Sequence, residues 1–341
     1  MQLEIVWFWL LALMIATYVV LDGFDIGVGI VHLLVAKTGD EREESIRAVG
    51  PVWDANEVWL IAAGGTMLMV FPGLLATAFS GFYLPLMVVL WLLVARALAV
   101  ELRHQAEDAL WRELLDAGFF GASAVLAVVI GAALANVFRG VSLDESGRFF
   151  APLWTDFRVG GEVGILDWFT ILVGVAAACA LAHHGALWLM VVSAGEVRVR
   201  AARVARWAAP ATLVLTMVVL GAGAIVRPGG IGASDALVAA GVLSGVSIAA
   251  LVGSWVWRVR GRAGLAFGAS CAYLYATIGA GAATLFPYVL PARDPELGLT
   301  IAAAAAPDSS LRVALMWWLP GMGIVVGYMA FVYRGMVKGR G

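Results

Sequence analysis

The sequence predicts an all-α integral membrane protein of about nine transmembrane helices, and three observations predict it. Of 341 residues, 62% are hydrophobic and only 13% charged, where soluble domains carry about 25% charge. Apolar runs recur along the whole chain, each long enough to cross a hydrocarbon core of about 30 Å at about 1.5 Å per residue. Lys and Arg gather in alternate loops, as they do in multi-pass proteins. No soluble domain separates out, so residues 1–341 read as a single transmembrane domain. Its longest polar stretches, Arg139 to Gly161 and Pro291 to Asp308, are loop-sized.

The spans read, in order, as Leu3–Val35, Ile46–Val70, Leu74–Glu101, Ala117–Val137, Glu162–Val192, Val204–Val226, Asp235–Trp257, Leu265–Leu290 and Leu311–Tyr333. The first would be about 50 Å long if straight, so it must tilt or project from the hydrocarbon. It carries Glu4 and no early Lys or Arg, unlike a secretory signal, and reads as a retained span. Phe71-Pro72-Gly73 ends the second span, Arg227-Pro228-Gly229-Gly230 the sixth, and Pro287 with Pro291 the eighth. Proline and glycine interrupt helices in this way.

With the N-terminus outside, the inner side holds Lys37, Arg42, Arg47, Arg103, Arg112, Arg198, Arg200, Arg203, Arg206, Arg258, Arg260, Arg262, Arg334, Lys338 and Arg340. That is fifteen of the 22 basic residues, against six outside (Arg139, Arg148, Arg158, Arg227, Arg293, Arg312). The bias places the N-terminus outside and the C-terminus in the cytoplasm. Trp7, Trp9, Trp207, Trp255, Trp257, Trp317 and Trp318 fall near span ends, where indole rings favour the headgroup level. Packing between helices is the expectation for Trp53, Trp59 and Trp91.

Ionisable groups within the spans carry the functional signal. Asp22 and Asp25 lie in YVVLDGFDIGVGI, and Asp54, Asn56 and Glu57 in GPVWDANEVWLIAAGG. A carboxylate at membrane depth costs about 2.5–3.5 kcal/mol even on insertion scales, so intramembrane acids mark proton or ion routes. Asp22 and Asp25 are three residues apart, as are Asp54 and Glu57, so each pair shares a helix face. The assigned orientation puts both pairs, with Arg96, in the inner half of the bilayer, where they are expected to gather in one pocket open to the cytoplasm. Gly23, Gly27 and Gly29 form a small-residue stripe that lets a neighbouring helix approach closely. The alternative is a static knot in which Arg96 simply pairs with the acids.

Redox and metal ligands are sparse. Cys179 and Cys271 stand alone in apolar runs, supporting neither a disulfide nor a cysteine metal site. Of four histidines, His104 reads as solvated and His32 as an interfacial anchor. His183 and His184 are adjacent, about 100° apart around a helix, so both cannot address one iron. A single Glu101-x-x-His104 does not make a two-metal bundle site, which needs two such motifs. No cofactor is assigned to this chain alone, and a net charge of −2 gives no indication of nucleic acid.

YVVLDGFDIGVGI, GPVWDANEVWLIAAGG and FSGFYLPLMVVLWLLVAR, with LFPYVLP and LTIAAAAAPDSSLRVALMWW near the other end, resemble subunit II of the cytochrome bd-type quinol oxidases. Ala55 departs from the glycine expected after Trp53-Asp54, and Leu134 to Gly264 carries no family motif. The resemblance implies two four-helix bundles plus one peripheral helix. It implies a heterodimer with a haem-bearing subunit I, which holds haems b and d and oxidises quinol while reducing O₂ to water. It implies a multi-pass protein of the bacterial cytoplasmic (inner) membrane and an electrogenic complex that does not pump. The positions matching Asp25 and Asp54 belong to a proton pathway in that family. Asp22, Asn56, Glu57 and Arg96 are added to it here on helical geometry. A small accessory subunit and bound quinone or membrane lipid are compatible with the sequence. Two rivals stand beside this reading: a proton-coupled secondary transporter, and a purely structural membrane subunit.

Overall fold

The structure, a computed structural model, describes residues 2–227 and 234–338. Twelve α-helices lie among them, with one two-stranded sheet. Helix α1 (Leu3–Val35) is followed by a short polar helix α2 (Gly39–Arg47), then α3 (Trp53–Val70), α4 (Pro72–Gly81) and α5 (Tyr83–Arg103). Next come α6 (Ala109–Arg139), α7 (Trp168–Val192), α8 (Gly195–Val226), α9 (Ser234–Val259) and α10 (Ala263–Leu285). Strands β1 (Tyr288–Leu290) and β2 (Leu299–Thr300) pair antiparallel, and α11 (Ile301–Ala304) leads into α12 (Asp308–Lys338). Eight described helices are long and apolar enough to cross a membrane, or nine when α3 and α4 count together. The expected all-α multi-spanning fold is therefore present.

Helix α1 is the hub. It packs on α3, α6, α7 and α10, which explains why it is buried far round its circumference. Helices α1, α6 and α7 pack on one another and carry α3, α5, α8 and α10, with α9 on α10 and α12 at the edge against α3 and α1. Small residues set the closest approach. A Cβ on Gly27 would stand 2.0 Å from the Leu181 carbonyl oxygen, and one on Gly185 2.2 Å from the Gly27 carbonyl carbon. Gly131 and Gly174 play the same part between α6 and α7.

Several boundaries differ from the sequence reading, each for a local reason. The second span does not begin at Ile46. Residues 39–47 form the separate α2, started by a capping box in which Thr38 accepts from the Glu41 amide while Glu41 accepts from Thr38. The spanning helix starts only at Trp53, after Gly50-Pro51. The third span is broken into α4 and α5 at Phe82, and α4 turns 120° from α3. Pro72 takes the first turn of α4, where its missing N–H costs nothing. The fifth span begins at Trp168 rather than Glu162, because Asp167 caps it by accepting from the Phe169 and Thr170 amides. The eighth ends at Leu285, and residues 288–290 are strand rather than helix. The fourth, sixth, seventh and ninth run longer than expected. Pro228 to Gly230 of the predicted turn, and Arg340, lie outside the described residues.

Helix α2 is held over the end of the bundle by ion pairs. Arg200 on α8 grips Glu41 bidentately at 2.8 and 3.1 Å. That guanidinium, with the Lys37 and Thr38 amides, holds the Glu41 carboxyl at about 2, below its ordinary 4.5. The depressed value means the clamp is complete above pH 4.5 and is lost as pH falls towards 2. A spin label at Asp40→Cys should therefore stay immobilised between about pH 5 and 8 and gain mobility below about pH 4. Release on raising the pH instead would contradict this.

Candidate functional site: a buried cluster of carboxylates around Arg96

The middle of α1 supplies the core of the site. Asp22 and Asp25 face inward with Asn56 of α3 and Arg96 of α5, exposed by 0%, 1%, 0% and 2% respectively. Arg96 stands between two helices: Nη1 contacts Asp22 Oδ1 at 2.7 Å, and Nη2 reaches Glu57 Oε1. One guanidinium thus ties α1 to α3. Among the described residues, Asp25 makes no ion pair. Its Oδ2 accepts from Asn56 Nδ2 at 2.7 Å, and its Oδ1 has no hydrogen-bond partner among the described residues. The same amide nitrogen donates to the Leu21 carbonyl at 3.2 Å.

Five of the six expected residues therefore come together: Asp22, Asp25, Asn56, Glu57 and Arg96. Asp54 does not join them. It sits exposed in the first turn of α3. The reason is angular, since Asp54 and Asn56 lie about 200° apart around the axis and only one can face α1. The cluster is also packed closed rather than open to solvent. Glu57, 21% exposed, is its one partly accessible member. Beside Glu57 and Asp54, α3 and α5 carry a bare apolar face with Ile61 73% and Trp91 71% exposed. Trp91 thus projects outward instead of packing within the chain, while Trp59 is buried as expected.

Two further residues belong to the cluster. Tyr333 of α12 donates to Asn56 Oδ1 at 2.8 Å, a contact across 277 residues that no local pattern signals. Tyr18 lies one turn before Asp22 on the same face of α1 and is buried; that i, i+4 spacing was a signal available in the sequence. Glu101 lies apart from the cluster and accepts from Trp53 Nε1 at 3.2 Å.

The histidines make a different picture from the one expected. His32 is not an interfacial anchor: it is fully buried, with Nε2 3.1 Å from Asp116 and Nδ1 3.2 Å from Ser45. Arg42 and Arg103 also pair with Asp116, which locks α2, α5 and α6 onto the end of α1. His183 Nε2 lies 2.9 Å from Ser254 Oγ. His184 Nε2 donates to the Val20 carbonyl at 3.0 Å, and its Nδ1 lies 2.7 Å from the Ser270 hydroxyl. The two rings thus serve different partners, His183 on α9 and His184 on α1 and α10. Among the described residues, no three His, Cys, Asp or Glu side chains are arranged to hold a metal ion.

Comparison with known proteins places this geometry in a family. The profile of "Cytochrome bd terminal oxidase subunit II" matches residues 3–336. The cytochrome bd-I ubiquinol oxidase subunit 2 of Escherichia coli K12 is 35% identical over 214 residues, 62% of this chain and 55% of that protein. The matched stretch thus spans a little over half of that relative's length. The cytochrome bd ubiquinol oxidase subunit 2 of Bacillus subtilis is 28% identical over 97% of this chain and 95% of its own. A chain in the structure of bd oxidase from Geobacillus thermodenitrificans shares the fold with a TM-score of 0.78 at 16% identity, covering 98% of both chains. The chain belongs to the cytochrome bd terminal oxidase subunit II family.

Proposed function

We propose that this chain is the haem-free second subunit of a quinol:O₂ oxidoreductase in the bacterial cytoplasmic membrane, a single transmembrane unit with its N-terminus outside. It pairs with a haem-bearing subunit I, stabilises it, and delivers protons from the cytoplasm. The partner's haems b and d supply the O₂ reduction that consumes those protons. The observation that carries this reading is Asp25, a fully buried carboxyl with one oxygen held by Asn56 and the other without a partner among the described residues. Intramembrane carboxyls of this kind accept and pass on protons.

The layout supports an order. Asp25 and Asp22 are the interior stations, Arg96 balances charge between Asp22 and Glu57, and Glu57 is the member that reaches the surface. Asp54 stands near it on a bare face that a partner helix can cover, so Asp54 belongs to the junction with subunit I rather than to the buried cluster. Quinol and O₂ are substrates of the complex and meet subunit I.

Asp25→Asn should leave haem content and assembly intact while lowering O₂ consumption per complex about tenfold. Unchanged turnover would remove the proton role. The purely structural reading draws on the Asp22–Arg96–Glu57 pairs, and it predicts joint loss of haem and turnover.

A further inference from the structure

Asn56 has two acceptors on one side and one hydroxyl on the other. The Leu21 carbonyl and Asp25 Oδ2 lie 3.2 and 2.7 Å from its Nδ2, and the Tyr333 hydroxyl lies 2.8 Å from its Oδ1. A backbone carbonyl can only accept, so the amide nitrogen must face α1 and the amide oxygen must face α12. The Tyr333 O–H is the donor that satisfies that oxygen. Without it, that buried oxygen has no donor, and Asn56 can regain one only by shifting off Asp25.

We infer that Tyr333, on the peripheral helix α12, is a positioning residue for Asp25, acting through its hold on Asn56. This rests on the proton-delivery reading above, because it names the group that holds the carboxyl of that route in place. Helix α12 is otherwise loosely attached, with most of its length exposed, yet here it reaches the polar centre. The ring sits in an aromatic cluster, 6.3 Å from the rings of both Phe24 and Trp188. Phenylalanine keeps those contacts, so Tyr333→Phe removes the hydroxyl and leaves the docking of α12 intact.

The test uses the assembled complex with its haems. Tyr333→Phe should lower O₂ consumption per complex about fivefold with the quinol KM unchanged. It should also shift the infrared band of the Asp25 carboxyl, assigned by its loss in Asp25→Asn. In an Asn56→Ala background the Tyr333→Phe change should add nothing, since coupled residues are non-additive. Additive losses, or an unmoved band, would overturn the inference. Should Asp25→Asn leave turnover whole, the proton-delivery reading fails by itself, and the infrared band and its dependence on Asn56 still decide whether Tyr333 positions Asp25.

Discussion

Gly27→Val should abolish accumulation of folded protein, the largest effect expected of any single change in this chain. The position is closed by backbone on the far side: an added Cβ would meet the Leu181 carbonyl oxygen at 2.0 Å and the Gly185 nitrogen at 2.8 Å. A flexible side chain can swing away, but a helix backbone cannot. The two helices would have to separate, and α1 cannot retreat from α7 without loosening α3, α6 and α10, which pack on it as well. Overpacking a well-filled core costs about 1–3 kcal/mol where side chains can adjust, and here they cannot. Even Gly27→Ala should lower the melting temperature of the detergent-solubilised protein. Gly253→Ala is the matched control, because its Cβ would meet the Ala269 Cβ at an ordinary 3.9 Å and helix propensity improves by about 0.8–1 kcal/mol. Equal behaviour of the two alanine variants would show that the α1–α7 contact does not set the stability of the bundle.

That contact was half legible. Gly23, Gly27 and Gly29 stand out in the sequence as a small-residue stripe among acids, but the matching Gly185 lies beside His183 and His184, which drew attention for another reason. The number and apolar character of the spans are legible because hydrophobic length is a local property. The reversal at Phe71-Pro72 is not, since hydropathy carries no direction and α4 is as apolar as the spans around it. Helix α2 had a signal, Thr38 with Glu41 three residues on, that marks a capped helix start. Charge dominates that stretch, which hides the helix between two spans.

The site shows the same division. Asp22, Asp25, Glu57 and Arg96 are found from cost alone, since each is ionisable at membrane depth. Asp54 was grouped with them by its spacing to Glu57, although three residues leave about 60° between side chains and two leave about 200°. Once Asn56 turns to α1, Asp54 must face away. Tyr333 is invisible beforehand because tertiary contact between the second and last spans has no footprint in either segment.

Arg96→Met should be the second most damaging substitution, and its rescue separates structure from function. The guanidinium is 2% exposed and contacts carboxylates from two helices. Removing one partner of a buried ion pair costs about 3–5 kcal/mol, because the charge left behind is uncompensated. Assembled complex should therefore fall by about a hundredfold or more where folding is marginal. Replacing the whole group is a different matter: apolar substitutes of similar volume are often neutral or stabilising. The triple variant Asp22→Leu, Glu57→Leu, Arg96→Met should accordingly recover assembly and haem content, with Asp25 and Asn56 untouched. Turnover per recovered complex should stay low if, as proposed, protons pass between Asp25 and the accessible Glu57, because that route has lost its ionisable members. Full recovery of O₂ consumption in the triple variant would reduce these three residues to a static knot.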